Sequence, residues 1–462
     1  MYMTSRNKLP VGAVSDREQC GSNGGPIFRC PQRDKRSSEF NNKADNQLMR
    51  VRQILIVSML LVLGGGPARA DWPQWGGPNR NFQVDARDLP TTWPDSRPKE
   101  VWRRRLGDGY SGIAAVEGVL YTMYRSGESS EAVIALDAET GQTRWEYSQK
   151  SVLFPGYNKT YGPGPHATPL VLRDKVYATG VQGTLMCVNR TTGKLIWDRE
   201  LWEEFGGTKL ARGYASSPIA HKQTVIVPSG GRGKSIIAFD QASGNVIWES
   251  ASFKNSFNSP ILINFDGSTQ LVVFMARVVT GLDPDTGRVL WSHPHSTKYD
   301  INASTPIWGD DNILFISSAY DTGSRAIRLS RKNGEISTEE LWYQRKMQIQ
   351  HGTAIRLGDT VYGSSGDFGP AFLVSIDIHT GELLSRQRGF GKANLVAAGN
   401  QVIILDEDGQ LAIAAAQGDS LAIQDSATIL YDRSWTPPTL VGTTLYARNQ
   451  IEIAAFDLNA RP

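Results

Sequence analysis

The chain has 462 residues, 40% of them hydrophobic, with 49 Lys+Arg, 46 Asp+Glu and three cysteines. That composition is enough for a large buried core and excludes a wholly disordered protein. Of the charged residues, 38 basic and 41 acidic side chains lie after residue 70. The expected mature chain is thus slightly acidic, and its charge gives no ground for nucleic-acid binding.

Residues 1–48 are polar and patternless, and are read as a disordered extension or a mis-assigned start ahead of Met49. Residues 49–70, "MRVRQILIVSMLLVLGGGPARA", have two arginines, an apolar run from Ile54 to Leu63, and Ala68-Arg69-Ala70 before Asp71. This order predicts a signal peptide cut after Ala70, and hence a periplasmic or secreted protein. The apolar run is too short to span a bilayer, which takes about 20 residues. No later stretch is long and apolar enough for a transmembrane helix. Asp71 stands where a lipoprotein would need cysteine. Removal of 1–70 takes Cys20 and Cys30 and leaves Cys187, read as a packing residue, so no internal disulfide is expected. Residues 71–99 are read as an N-terminal arm, and 100–459 as the main domain.

From residue 136 a motif recurs. "LDAETGQTRW" (136–145), "VNRTTGKLIW" (188–197), "FDQASGNVIW" (239–248) and "LDPDTGRVLW" (282–291) are copies, and "LSRKNGEISTEELW" (329–342) carries four extra residues before Trp342. "IDIHTGELLS" (376–385) keeps the turn but has Ser385 at the tryptophan slot, and 408–423 is a worn copy. The turn glycines 141, 193, 244, 287, 334 and 381 lie 52, 51, 43, 47 and 47 residues apart, a period that marks stacked repeats. Each unit reads as four short strands, with the Asp-x-x-Thr-Gly turn joining the third to the fourth. This predicts an all-β fold: an eight-bladed β-propeller of four-stranded antiparallel blades. "EVWRRRL" (100–106) and "LYARNQIEIAAFDL" (445–458) are incomplete alone, and their pairing is expected to close the ring. Trp102, Trp145, Trp197, Trp248, Trp291 and Trp342 are read as packing between blades, with an eighth slot near Ile429.

The Ala-x-Asp-x-x-Thr-Gly-x-x-x-Trp repeat resembles the pyrroloquinoline-quinone (PQQ)-type β-propeller family over residues 100 to 458. "WPQWGGPNRNF" (72–82) resembles the lead-in of its secreted bacterial quinoprotein and polyvinyl-alcohol-dehydrogenase-like members. The resemblance implies one of two functions. One is a scaffold or binding propeller with a small-molecule, glycan or protein ligand at its face. The other is an alcohol dehydrogenase using PQQ and calcium. The sequence lacks the Cys-Cys pair and the Cys-x-x-Cys-His motif found in many dehydrogenase members, which favours the first.

Loops entering the innermost strands converge at one mouth of a propeller, so the candidate ligand-binding residues are sought there. They are Tyr110, His166, Arg212, Tyr214, Lys298, Asp300, Asn302, His351, Arg433 and Trp435. An eight-fold ring sets His166, in the second unit, opposite His351, in the sixth. Asp300 and Asn302 are weak calcium candidates because calcium takes oxygen ligands; otherwise no metal is expected. Cations outnumber acids in these loops, which also carry Lys159, Lys209, Arg345, Lys346 and Lys392 beside Tyr157, Tyr161 and Tyr299. The reading is a basic, aromatic mouth for an anionic glycan or peptide on a monomer, with catalytic residues left unassigned.

Overall fold

The computed structural model describes residues 71–86 and 89–459. The expected extension (1–48) and signal segment (49–70) lie outside the described residues. Among those described, eight antiparallel sheets form the blades of a closed propeller. Their innermost strands are Ala114–Val116, Leu170–Leu172, Ile219–His221, Ile261–Phe265, Ile307–Trp308, Ile355–Leu357, Ala393–Ala398 and Thr439–Val441, for blades 1 to 8. Short, mostly buried aliphatic runs make these strands, and Gly, Asn and Asp turns end them. No described helix is long and apolar enough to cross a membrane.

Both chain ends share blade 8. Lys99–Arg105 pairs antiparallel with Glu452–Asp457 as the outermost strand, with Trp102 opposite Ala455.

Tryptophan works with the turn of the next blade. The Asp137 carboxylate accepts hydrogen bonds from the Glu139 and Thr140 amides at 3.1 and 2.9 Å, and Gly141 takes φ +70°. The Trp102 ring of blade 8 lies on that turn, its Nε1 donating to the Ala138 carbonyl at 3.0 Å. Trp145 donates likewise to Arg190, Trp197 to Gln241, Trp248 to Pro284 and Trp342 to Ile378. Trp291 departs from this pattern. Its Nε1 donates to Gln270 of its own blade at 2.7 Å, although the ring is buried in the same apolar cluster as Leu314 and Ile327 of blade 5. The four extra residues of blade 5 lengthen its outer hairpin to Gly323–Lys332 and Glu335–Gln344. The turn therefore no longer lies where the indole reaches.

The slot expected near Ile429 is corrected. In blade 7 the residue beside the outer-strand bulge, where other blades place tryptophan, is Asp425, opposite Ile413. Its carboxylate accepts the backbone N–H of Trp93 at 2.8 Å, and Trp93 is buried in the same core as Leu421 and Leu440. The arm is thus anchored on the side chain that stands where other blades place tryptophan.

The arm also fills the channel. Trp72 bridges Ala115 of blade 1, and the Pro73 carbonyl accepts from Val171 of blade 2. Arg80 donates to the Pro218 and Ser217 carbonyls at the start of blade 3. Trp75 donates to Thr305 ahead of blade 5, and Gln83 to the Arg356 carbonyl of blade 6. Gln83–Val84 then adds in parallel to Ala393–Ala398, making blade 7 five-stranded. A segment touching the inner edges of six blades lies on the axis. It gives the opening above it a floor.

Candidate functional site

In a four-stranded antiparallel blade, the loop entering the innermost strand and the hairpin joining strands two and three lie at the same end. The ring turns these segments towards one opening. Entry loops bring Tyr110, Tyr161, His166, Arg212, His351, Arg433 and Trp435. Second-to-third-strand hairpins bring Tyr320 from blade 5, Glu407 from blade 7 and Gln450 from blade 8.

These side chains form a connected aromatic cluster. His166 stacks on Tyr110 with centroids 6.0 Å apart and 5° between planes. Tyr110 lies 5.3 Å from Trp435, and Trp435 lies 4.5 Å from His351. The two histidines, on opposite blades, are thus joined by two rings. Tyr161 completes the cluster, 5.1 Å from Trp435. The Arg212 guanidinium sits 4.5 Å from the Tyr161 centroid. Arg433 sits 5.0 Å from the same centroid and 4.9 Å from that of Trp435.

The cluster is braced from outside. The Tyr110 hydroxyl donates to the Tyr161 carbonyl at 2.5 Å, and Gln450 donates to Asp108 at 3.0 Å. Trp435 Nε1 donates to Glu407 at 2.9 Å, and Lys392 Nζ donates to the same carboxylate at 3.0 Å. Burial alone would raise the Glu407 carboxyl, but the Trp435 and Lys392 donors outweigh it and hold it below the ordinary range. Glu407 is therefore a charged clamp on Trp435, already neutralised by Lys392.

Charge is unevenly distributed. Burial depresses His166 to about 4, and its Nε2 lies 3.1 Å from the Arg212 carbonyl. Burial also depresses His351 to about 4, and neither of its ring nitrogens has a hydrogen-bond partner. Both imidazoles are neutral at neutral pH. The positive charge over the Tyr161 ring belongs to Arg212 and Arg433, and among the described residues neither has a carboxylate partner.

The other expected site residues lie elsewhere or are engaged. Lys298 rests over Tyr299 at 5.4 Å, and Tyr299 meets Tyr320 edge-on at 5.3 Å. Tyr320 sits on a hairpin at the same end of its blade as the entry loops, so Lys298 and Tyr299 lie at that end but outside the ring cluster. Tyr214 is buried, its hydroxyl donating to the Pro228 carbonyl at 2.8 Å; it belongs to the core and not to the mouth. Asp300 pairs with Lys254 at 3.0 Å and Arg277 at 2.8 Å. Asn302 is fully buried; its amide donates to the Met275 and Ala276 carbonyls and its oxygen accepts from Ser318. Neither Asp300 nor Asn302 presents a free oxygen to calcium, which takes six to eight oxygen ligands. PQQ is a flat tricarboxylate, and its charge suits the Arg212–Arg433 pair. The metal that accompanies it does not fit the donors named for it.

Tyr161 was legible only as one loop aromatic among several, and Tyr320, Glu407 and Gln450 were not singled out. They sit on hairpins between second and third strands, outside the loops before innermost strands to which the sequence reading points. The alternation of strand directions was the available clue, because it puts both sets of loops at one end.

A family model described as outer membrane protein assembly factor BamB matches residues 158–368. An uncharacterized protein of Rickettsia conorii is 30% identical over 164 residues, 35% of this chain and 36% of that protein, so about a third of that relative's length is matched. The outer membrane protein assembly factor BamB of Burkholderia pseudomallei is 23% identical over 369 residues, 70% of this chain and 91% of its own. Among solved structures, BamB of Moraxella catarrhalis is similar with a TM-score of 0.56 and 20% identity, over 79% of this chain and 99% of that one. The quinohemoprotein alcohol dehydrogenase of Comamonas testosteroni is similar with a TM-score of 0.61 and 13% identity, over 87% and 82%. These two structures share the fold. The repeated turn, the closed eight-blade ring and the family model matched over 158–368 all fit the PQQ-type β-propeller repeat family.

Proposed function

We propose that the protein is a periplasmic or secreted binding propeller, without redox chemistry of its own, that takes an anionic ligand at the mouth above the arm. One observation carries this reading. Arg212 and Arg433 both sit within 5.0 Å of the Tyr161 centroid, and neither has a carboxylate partner among the described residues. Each cation is attracted to the ring face. The two repel one another, and an anion bound between them relieves that repulsion. Guanidinium groups present fixed forks of N–H donors suited to carboxylate or phosphate. The relatives named as assembly factors support a binding role over a catalytic one, and the unsuitability of Asp300 and Asn302 as calcium ligands supports it further.

The test is a titration of purified protein with carboxylate-bearing oligomers, both sugar and peptide, at low and high salt. Binding is expected, and it weakens with salt because exposed charges are screened over about 8–10 Å. The double variant Arg212→Glu, Arg433→Glu is expected to abolish binding and leave the thermal melt unchanged, since neither residue belongs to the blade core. Undiminished binding in that variant overturns the reading. Dye-linked alcohol oxidation after addition of PQQ and calcium would establish the dehydrogenase instead.

A further inference from the structure

We propose that the anionic group received by the mouth is the carboxylate of a hexuronate residue, so that the ligand is an acidic glycan. This deepens the reading above and rests on it. Three features must be matched by one ligand. Arg212 and Arg433 call for an anion. His351 calls for a neutral hydrogen-bonding group: its two ring nitrogens have no partner in the protein and are covered, so the ring must turn towards the opening to meet one. A buried polar atom without a partner is costly and rare enough to need a reason. The ring is neutral, so it is one donor and one acceptor and not a third cation. Trp435 touches both sets: it lies 4.5 Å from His351 and 4.9 Å from the Arg433 guanidinium. The ligand therefore carries a carboxylate and a hydroxyl close together, beside a face of C–H groups that can lie on an aromatic ring. A hexuronate has all three on one rigid ring.

An acidic peptide meets the first demand but not the others together. Its carboxylate hangs on a flexible stem with no hydroxyl beside it, and ordering that stem opposes binding. The rim also favours sugars. Phe368 is 76% exposed and Tyr431 is 73% exposed, while Tyr299 is half-exposed. Phe368 and Tyr299 both lean on Tyr320, on a hairpin at the same end of the ring. Exposed rings on loops around a polar opening give neighbouring sugar units faces on which to stack.

The experiment is calorimetric titration of the purified protein with three probes: galacturonate trisaccharide, the galactose trisaccharide that lacks the carboxylates, and triglutamate. The galacturonate trimer is expected to bind, and each of the others to bind roughly tenfold more weakly or worse. His351→Phe is expected to weaken the galacturonate trimer roughly tenfold, the loss of one hydrogen bond, and His351→Gln to restore part of it. Should His351→Phe fail to fold, saturation-transfer NMR on the unaltered protein serves, with transfer expected from aromatic protons to the C–H protons of the sugar. Triglutamate binding as tightly as the galacturonate trimer overturns the glycan assignment and leaves the anion reading standing. An unchanged affinity in folded His351→Phe, or no transfer to the sugar, does the same. If neither acidic probe binds, both readings fall.

Discussion

Burial of histidine gives the loop layer a pH signature. His166 and His351 are held down to about 4, and His295, 1% exposed beneath Phe274, to about 3. In each case desolvation of the charged ring is the leading cause. The sign follows from linkage. Above about pH 6.5 the folded and unfolded chains are both neutral at these positions, and they do not make stability depend on pH. As the pH falls from about 6.5 towards 4, the unfolded chain takes up protons that the folded chain refuses. Stability is lost by at most about 1.4 kcal/mol per pH unit for each histidine. Urea unfolding at a series of pH values is expected to show this loss, with a shallower slope in His351→Phe. Equal slopes in the two proteins would show that His351 is not buried as described. Sequence alone placed both histidines before innermost strands, but it had no means of showing that one would have no partner. That depends on rings delivered by blades 8 and 1.

Five of the repeat turns serve their own hairpin and the tryptophan of the preceding blade together. Gly244 sits at φ +69°, and a Cβ there would lie 2.6 Å from the Trp197 ring. Gly334, in the extended hairpin of blade 5, has φ +85° and open space around it. Gly334→Ala is expected to cost about 1–2 kcal/mol, the backbone term alone. Gly244→Ala carries that term and a further overpacking cost of about 1–3 kcal/mol. Thermal or urea melts of the two variants check the difference, and equal losses would mean that the indole gives way freely. The turn glycine was readable as a positive-φ residue from the Asp-x-x-Thr-Gly spelling. Its contact with a ring 47 residues away was not, because blade-to-blade packing has no local trace. The same limit explains Trp291, whose partner turn is displaced by an insertion in another repeat, and Asp425, which holds the Trp93 amide of the arm where other blades place tryptophan.

At the scale of the ring, closure and plugging are joined in one stretch of chain. Residues 71–86 follow the axis, Trp93 reaches blade 7, and Lys99–Arg105 completes blade 8. Replacing Lys99–Arg105 by a glycine–serine stretch of equal length keeps the arm tethered and removes Trp102 and the outer ladder. The edge strand Glu452–Asp457 is then unpaired, which invites association. Trp102 is partly buried, so its removal is expected to cost up to roughly 3–5 kcal/mol beside the loss of the ladder, and the variant is expected to elute as larger species in size-exclusion chromatography. A monomer as stable as the parent would show that closure does not depend on this strand.

The sequence by itself determined the blade, the number of blades and the pairing of the two ends. Strand alternation, turn chemistry and the 43–52-residue period are local or periodic properties written into the chain. It also placed Tyr110, His166, Arg212, His351, Arg433 and Trp435 at equivalent loop positions, and a ring converts equal position into proximity. Only the tertiary structure decided which loop residues turn towards the axis, which are consumed by the core, as Tyr214 and Asn302 are, and what closes the channel beneath them. Those outcomes depend on partners from several blades and from the arm. Their side-chain contacts are fixed by packing in three dimensions, and no spacing along the chain encodes them.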